Sequence, residues 1–480
     1  MRLSNSSMTL LKRPIAPLAA AWLASVGATS FAASAPVTDE MLTPLTSAYV
    51  RAVKASDQVE LHRELFGSVL RRVHRSYARE VDMETLVAFA LKTIEPLEPQ
   101  SGEAADVFRK AINAALASLD PHSRYLDARA HSNERSLITG SFGGLGMEVE
   151  MVDGLVRVVA PMAGTPAARA ELQRGDLITR FDAQPVLGMT LADAISRMRG
   201  KPGTPIALTI RRAGRPDEFM VTLVRDNIRS QALRWSMERD VLVLRLARFT
   251  GSIASALEKA IADATADRTP RAVVLDMRGN PGGLLHQAVL TADIFLGAGE
   301  IVSLRGRTPG NQRSWRADAV EQLAGVPMVV LIDSRSASAA ELVAAALQEN
   351  GRAIVMGQRS FGKGSVQSVV SLGAEKGALS LTTALYHGPS GRTVQRTGVG
   401  PDIELIAAST GTSTRRETDR ARALPGVDEP ATPKARVEQA RCAPGKELDP
   451  ALACALAFLE AGGIETFVVA LETAESSSSR

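Results

Sequence analysis

Three apolar runs, each ending in a corner of small residues, constrain this chain more than any other feature. They are "RAVVLDMRGNPGGLL" (271–285), "VPMVVLIDSRSASAAEL" (326–342) and "RAIVMG" (352–357). A strand apolar on both faces is covered on both sides. The helical stretches after the first two, "LLHQAVLTADIFL" and "AAELVAAALQENG", therefore read as βαβ units around a buried parallel layer. Ligands of such sheets bind beyond the carboxyl ends of the strands, so chemistry is expected at the corners.

The rest of the chain changes style around this core. From about Thr38 to Leu126, stretches such as "DQVELHRELFGSVLRRVHRSY" and "EAADVFRKAINAALASL" repeat apolar residues every three or four positions, as amphipathic helices do. A Gly-rich region of short alternating strands follows, with one amphipathic helix, "LADAISRMR", and reads as a compact β-rich module. From about Ala407 to Lys434 no periodicity survives, which predicts a linker. A final helix, "PALACALAFLEAG", precedes the tail "ESSSSR", expected to be disordered. The expected order is a leader over 1–35, a helical region over 36–138, the β-rich module over 139–226, the α/β core over 227–405, a linker over 406–436, and a helical region with a tail over 437–480.

Arg2, Lys12 and Arg13 precede the apolar "IAPLAAAWLASVGA" and the small-residue stretch "TSFAASA", the order of a secretory signal. Cleavage is expected after Ala32 or Ala35; the alternative is an uncleaved anchor from Ile15 to Ala33, which reaches the length needed to span a bilayer. Export makes Cys442 and Cys454, the only two cysteines, candidates for a disulfide. A net charge of +4 and an aromatic content of 4%, with no basic-aromatic stripe, argue against a nucleic-acid partner.

The stretch "GQRSFGKGSVQ" (357–367) nearly spells a phosphate loop, but Gly364 stands where Ser or Thr would ligate Mg²⁺. The β-branched "SVQSVVSL" that follows is a strand where a helix is required. Lys363 therefore needs another role. HExxH and G-x-S-x-G signatures are missing, and the six histidines are scattered, with His387, in "LYHGPSG" after a strand of the core half, the least dismissible. At the corner "IDSRSASAAEL", Ser336 and Ser338 stand where a buried strand gives way to a helix, and amides at that helix start suit an oxyanion. A helix N-cap is the competing reading, since serine is a preferred cap. Gly282 and Gly283 close the neighbouring corner, and Lys363 leaves the next strand. A buried lysine kept neutral can act as a base, and the amide of Gln367 could orient its amine.

Taken together, "LDPHSRYL", "DMRGNPGGLL", "SASAAEL", "SFGKGSVQ" and "YHGPSGRTVQRTGVGPDIEL" closely resemble the carboxyl-terminal processing peptidases, or tail-specific proteases, in the right order from Leu119 to Leu405. The resemblance implies an α/β multidomain chain: a β/α protease core of the crotonase-like type, an inserted PDZ domain, and helical N- and C-terminal regions. It implies Ser338 as nucleophile, Lys363 as base and Gln367 as the residue orienting the lysine, with an oxyanion hole from Ala339 and one of the Gly282 and Gly283 amides. "GGLGMEVEM" resembles a PDZ carboxylate-binding loop, implying that the amides of Leu145, Gly146 and Met147 hold a substrate C-terminus beside Ile195 and Met198.

No cofactor or metal is implied. The expected partners are proteins or peptides with accessible C-termini, an activating adaptor, and further copies of the chain, as a homodimer or larger ring. The expected location is the periplasm, free or held at the inner membrane by an uncleaved leader. Ala340 and His286 depart from the Ser and the acid common in the family, and "LYHGPSGR" from its "YYTPSGR". The remaining alternative is an inactive PDZ adaptor on a protease-like scaffold.

Overall fold

The computed structural model describes residues 37–478 apart from 55, 230, 319, 374, 408–415, 427–428, 430 and 443–447. The leader expected over 1–35 lies outside the described residues.

Four helices, Asp39–Ala52, Gln58–Ser76, Met83–Ile94 and Ala104–Ala117, form the N-terminal region. Side-chain caps start two of them: Thr38 accepts from the Met41 amide and Asp82 from the Glu84 amide. Their apolar stripes meet around Tyr49, Phe66, Leu70 and Phe108, and the same core takes in Leu379 and Leu381 from a distant strand. The helical region is thereby seated on the strand Gly377–His387.

The α/β core is built on a seven-stranded sheet. Its order is Leu233–Glu238, Val241–Leu246, Ala272–Asp276, Met328–Ile332, Ile354–Gly357, Ile403–Ile406 and Ala435–Glu438. All neighbours are parallel except the first pair. The two-sided apolar strands explain the arrangement. Leu242, Val273 and Val330 face the helices Ile253–Ala264, Leu285–Phe295 and Ala339–Glu349. Val243, Val274 and Val329 face the C-terminal helices, among them Pro450–Ala461. A second sheet stacks beside it, in which Gly377–His387 pairs with Arg124–Leu126, Glu300–Gly306 and Ser365–Gly373.

The β-rich module is a six-stranded antiparallel sheet with the helix Leu191–Met198, whose start carries a capping box between Thr190 and Asp193. It hangs from the core on a two-stranded ribbon, Ser141–Gly144 paired with Asp226–Arg229.

Two expectations near the C-terminus change. In the stretch read as a linker over 406–436, Glu417 is fully buried, Leu424 joins the helical core, and Ala435–Glu438 is the last strand of the large sheet. Its contacts are single and irregular, some through the backbone and some through side chains, so they leave no periodicity to read. Beyond Pro450–Ala461 a further helix, Ile464–Ser478, runs into the serine stretch read as a tail. Cys442 and Cys454 are bonded to each other.

Candidate active site

Adjacent strands bring three corners together. Ala272–Asp276, Met328–Ile332 and Ile354–Gly357 are consecutive in the sheet, and their carboxyl ends lead to Gly282–Gly283, to Ser338 and to Lys363. The first two corners touch: a Cβ on Gly282 would lie 2.9 Å from Ser338 Cβ and 3.0 Å from the Ala339 nitrogen. The Ala337 amide also donates to the Asn280 carbonyl at 2.9 Å.

Of the two serines at the corner, Ser336 is spent on structure. It is fully buried, and its hydroxyl donates to the Met277 carbonyl at 2.9 Å while accepting from the Asp333 amide. Ser338 is held differently. It stands at the N-cap of Ala339–Glu349, as the cap reading required, but at φ 56° and ψ −116°. A non-glycine residue there stores about 1–3 kcal/mol of strain and persists only where the surroundings enforce it. The enforcing contact is the Ser338 amide, which donates to Glu341 Oε2 at 2.7 Å. Burial pushes the pKa of the neighbouring Tyr386 hydroxyl up to about 12, with the Ser338 hydroxyl opposing the shift.

Glu341 organises the whole site. It is wholly buried and also accepts from Ser360 Oγ, the Gly362 amide at 2.7 Å and the Lys363 amide at 2.9 Å. Burial pushes its carboxyl up to about 7, against four hydrogen bonds that favour the anion. One carboxylate thus joins the serine corner to the lysine loop. The Lys363 amine is pushed below its ordinary value, mainly by burial; Glu417 opposes the shift and Arg124 adds to it. Among the described residues, its Nζ has no hydrogen-bond partner.

One further sequence expectation is corrected here, and another is narrowed. Gln367 does not reach the lysine: its amide donates to Ser365 Oγ and Thr382 Oγ1, both at 3.1 Å. The cause is a bulge between Val366 and Gln367, which sets Gln367 directly across from Thr382. The Gly282 amide is also taken, by Asn280 Oδ1 at 2.9 Å. The amides of Gly283 and Ala339 donate to no group among the described residues, which leaves these two as the candidate oxyanion pair. Gly283 sits at φ 148°, where a Cβ would lie 2.2 Å from the Phe249 carbonyl oxygen, so only glycine fits.

Beside this corner lies a cavity of about 560 Å³ lined by Leu284, Leu285, His286, Trp315, Val366 and Tyr386 among others. His387 is buried one residue beyond, with Nδ1 3.3 Å from the Leu385 carbonyl. In the β-rich module a second cleft, about 240 Å³, is lined by Leu145, Gly146, Met147, Ile195 and Met198, together with Phe142 and Arg199. The Leu145 and Gly146 amides donate to no group among the described residues.

Sequence reasoning passed over Glu341, although Ser338-x-x-Glu341 has the spacing of a capping box. Tyr386 lay unremarked inside a quoted motif, and Glu417 in the stretch read as linker.

A buried α/β core with a serine corner, a lysine loop and a peptide-sized β module defines a class: a serine peptidase carrying a PDZ domain. Residues 240–405 match peptidase family S41 and residues 157–212 match the PDZ domain. The carboxy-terminal-processing protease of Bartonella bacilliformis is 41% identical over 74% of this chain and 77% of its own length. The carboxy-terminal processing protease CtpA of Bacillus subtilis is 31% identical over 61% of this chain and 63% of its own length. A solved photosystem II D1 C-terminal processing protease is 26% identical, covering 72% of this chain and 92% of its own, with a TM-score of 0.45. The chain belongs to the carboxy-terminal processing proteases of peptidase family S41, and it is a serine peptidase.

Proposed function

We propose that the chain is an exported endopeptidase that cuts proteins near their C-termini with Ser338 as nucleophile and Lys363 as base. The observation that carries this reading is Glu341, whose single buried carboxylate holds both the strained Ser338 backbone and the Lys363 loop. Ser338 Oγ attacks the scissile carbonyl carbon while its proton passes to the neutral Lys363 amine. The amides of Ala339 and Gly283 stabilise the oxyanion, and Lys363 returns the proton to the leaving amine. Water then attacks the acyl-enzyme, again with the lysine as base.

The PDZ cleft supports the tail-binding part of the reading. The Leu145 and Gly146 amides and the Arg199 guanidinium suit a C-terminal carboxylate, while Ile195 and Met198 offer an apolar wall to the last side chain. The leader-like N-terminus supports export, and the Cys442–Cys454 bond suits an oxidising compartment.

The test mixes an unfolded model protein with chain lacking residues 1–35, alongside Ser338→Ala and Lys363→Ala, followed by gel and mass spectrometry. The parent is expected to cut and both variants to be at least about 10³-fold slower, the scale at which loss of an acyl-transfer nucleophile or base is felt. Cleavage surviving Ser338→Ala overturns the assignment.

A further inference from the structure

The loop that carries Lys363 is gripped from two sides. On the inside, Glu341 takes Ser360 Oγ and the Gly362 and Lys363 amides. On the outside lies the segment around Glu417, which the sequence presented as linker. The Glu417 amide donates to the Phe361 carbonyl at 3.1 Å, and the Arg416 guanidinium donates to the Ser360 carbonyl at 3.1 Å. The Arg420 guanidinium covers the Phe361 ring at 5.4 Å from its centroid.

The Glu417 side chain turns inward. Its carboxylate is fully buried and meets His122 Nε2 at 2.9 and 3.0 Å, where His122 belongs to the helical region. It also accepts from Gln395 Nε2 at 3.3 Å, and Gln395 Oε1 accepts the Gly364 amide at 2.9 Å. Further along, Arg422 donates to the Ala117 carbonyl and covers the Phe89 ring, while Leu424 is buried in the helical core. Two regions far apart in sequence are thus tied to the lysine loop through one carboxylate.

We propose that residues 416–424 form a strap that positions Lys363, and that Glu417 is its positioning residue, joining the lysine loop to His122. This rests on the reading of Lys363 as the base. The charges acting on the Lys363 amine are, in order, Glu417, Arg124, Glu134 and Glu341; Glu417 itself faces His122, Arg420 and Gln395. A buried anion favours the protonated amine, so Glu417 raises the pH at which Lys363 becomes a base. It also keeps the amine in register with the serine corner. The strap therefore fixes the base's position and sets its working pH together.

Two substitutions separate these effects. In Glu417→Gln, the carbonyl oxygen can still accept from both His122 and Gln395, but the charge is gone. In Glu417→Ala, both contacts and charge are lost. With a peptide substrate and chain lacking residues 1–35, Glu417→Gln is expected to move the acid limb of the kcat profile down by about half to one pH unit. Glu417→Ala is expected to lower plateau kcat roughly tenfold with KM within about twofold, and Glu417→Gln to recover most of that loss, as the positioning of a catalytic group predicts.

Circular dichroism at the assay temperature establishes that each variant is folded. If Glu417→Ala unfolds, the limb shift in Glu417→Gln still decides. Ser338→Ala and Lys363→Ala run beside them. Should either of these cut like the parent, the underlying reading of the base falls. Should both be inert while Glu417→Gln keeps the parent's limb, the strap proposal falls alone.

Discussion

Lys363 and Glu341 sit under opposing pressures from burial and charge, and both bear on activity in the same direction. Burial lowers the lysine's pKa, so a larger fraction of the amine is neutral at a given pH than for an exposed lysine. As pH falls through that lowered value the amine protonates and can no longer accept the Ser338 proton. Burial also pushes Glu341 up to about 7, so below neutrality it gains a proton and forfeits an acceptor position among its four donors. The expected outcome is kcat/KM that falls steadily from pH 8 to pH 5, measured by initial rates on a peptide substrate. A flat profile over that range contradicts a lysine base.

The corners, each a strand end with its loop, were the most legible elements. Runs apolar on both faces, followed by small residues, announced the parallel strands, and the order of the runs brought Ser338 and Lys363 to neighbouring strand ends. Local hydrogen bonding was not legible in the same way. Gln367 is one bulge away from its expected direction, and a bulge leaves no mark in an alternating pattern. Gly282 and Gly283 read alike in sequence, yet Asn280 claims the amide of one and leaves the other. Gly283→Ala therefore discriminates. Its Cβ would press on the Phe249 carbonyl at 2.2 Å and shift the candidate oxyanion donor, so kcat is expected to drop by at least about 10²-fold. A melting curve checks that the fold survives, and unchanged kcat in a folded variant removes Gly283 from the oxyanion hole.

Across the whole molecule, the large sheet keeps the helix that follows Ser338, with two others, on one face and the C-terminal helices on the other. The strap at 416–424 illustrates why that organisation was only partly readable: its hold comes from single long-range contacts, not from repeated ones. The Cys442–Cys454 bond, twelve residues apart in sequence, pins Pro450–Ala461 beside the short turn that follows the last strand. Replacing both with serine is expected to cost about 2–3 kcal/mol, lowering Tm by several degrees in differential scanning calorimetry. The candidate active corners lie at the strand ends and not against these helices, so kcat at 25 °C is expected to stay within about twofold.

The central claim is that Ser338 becomes the acylated residue, and the most direct measurement traps it. Enzyme turning over a peptide substrate is quenched in acid, digested, and mapped by mass spectrometry. The account predicts an acyl adduct on the peptide containing Ser338, absent in Ser338→Ala and in Lys363→Ala. An adduct on Ser336 or elsewhere, or continued cleavage by Ser338→Ala, contradicts it.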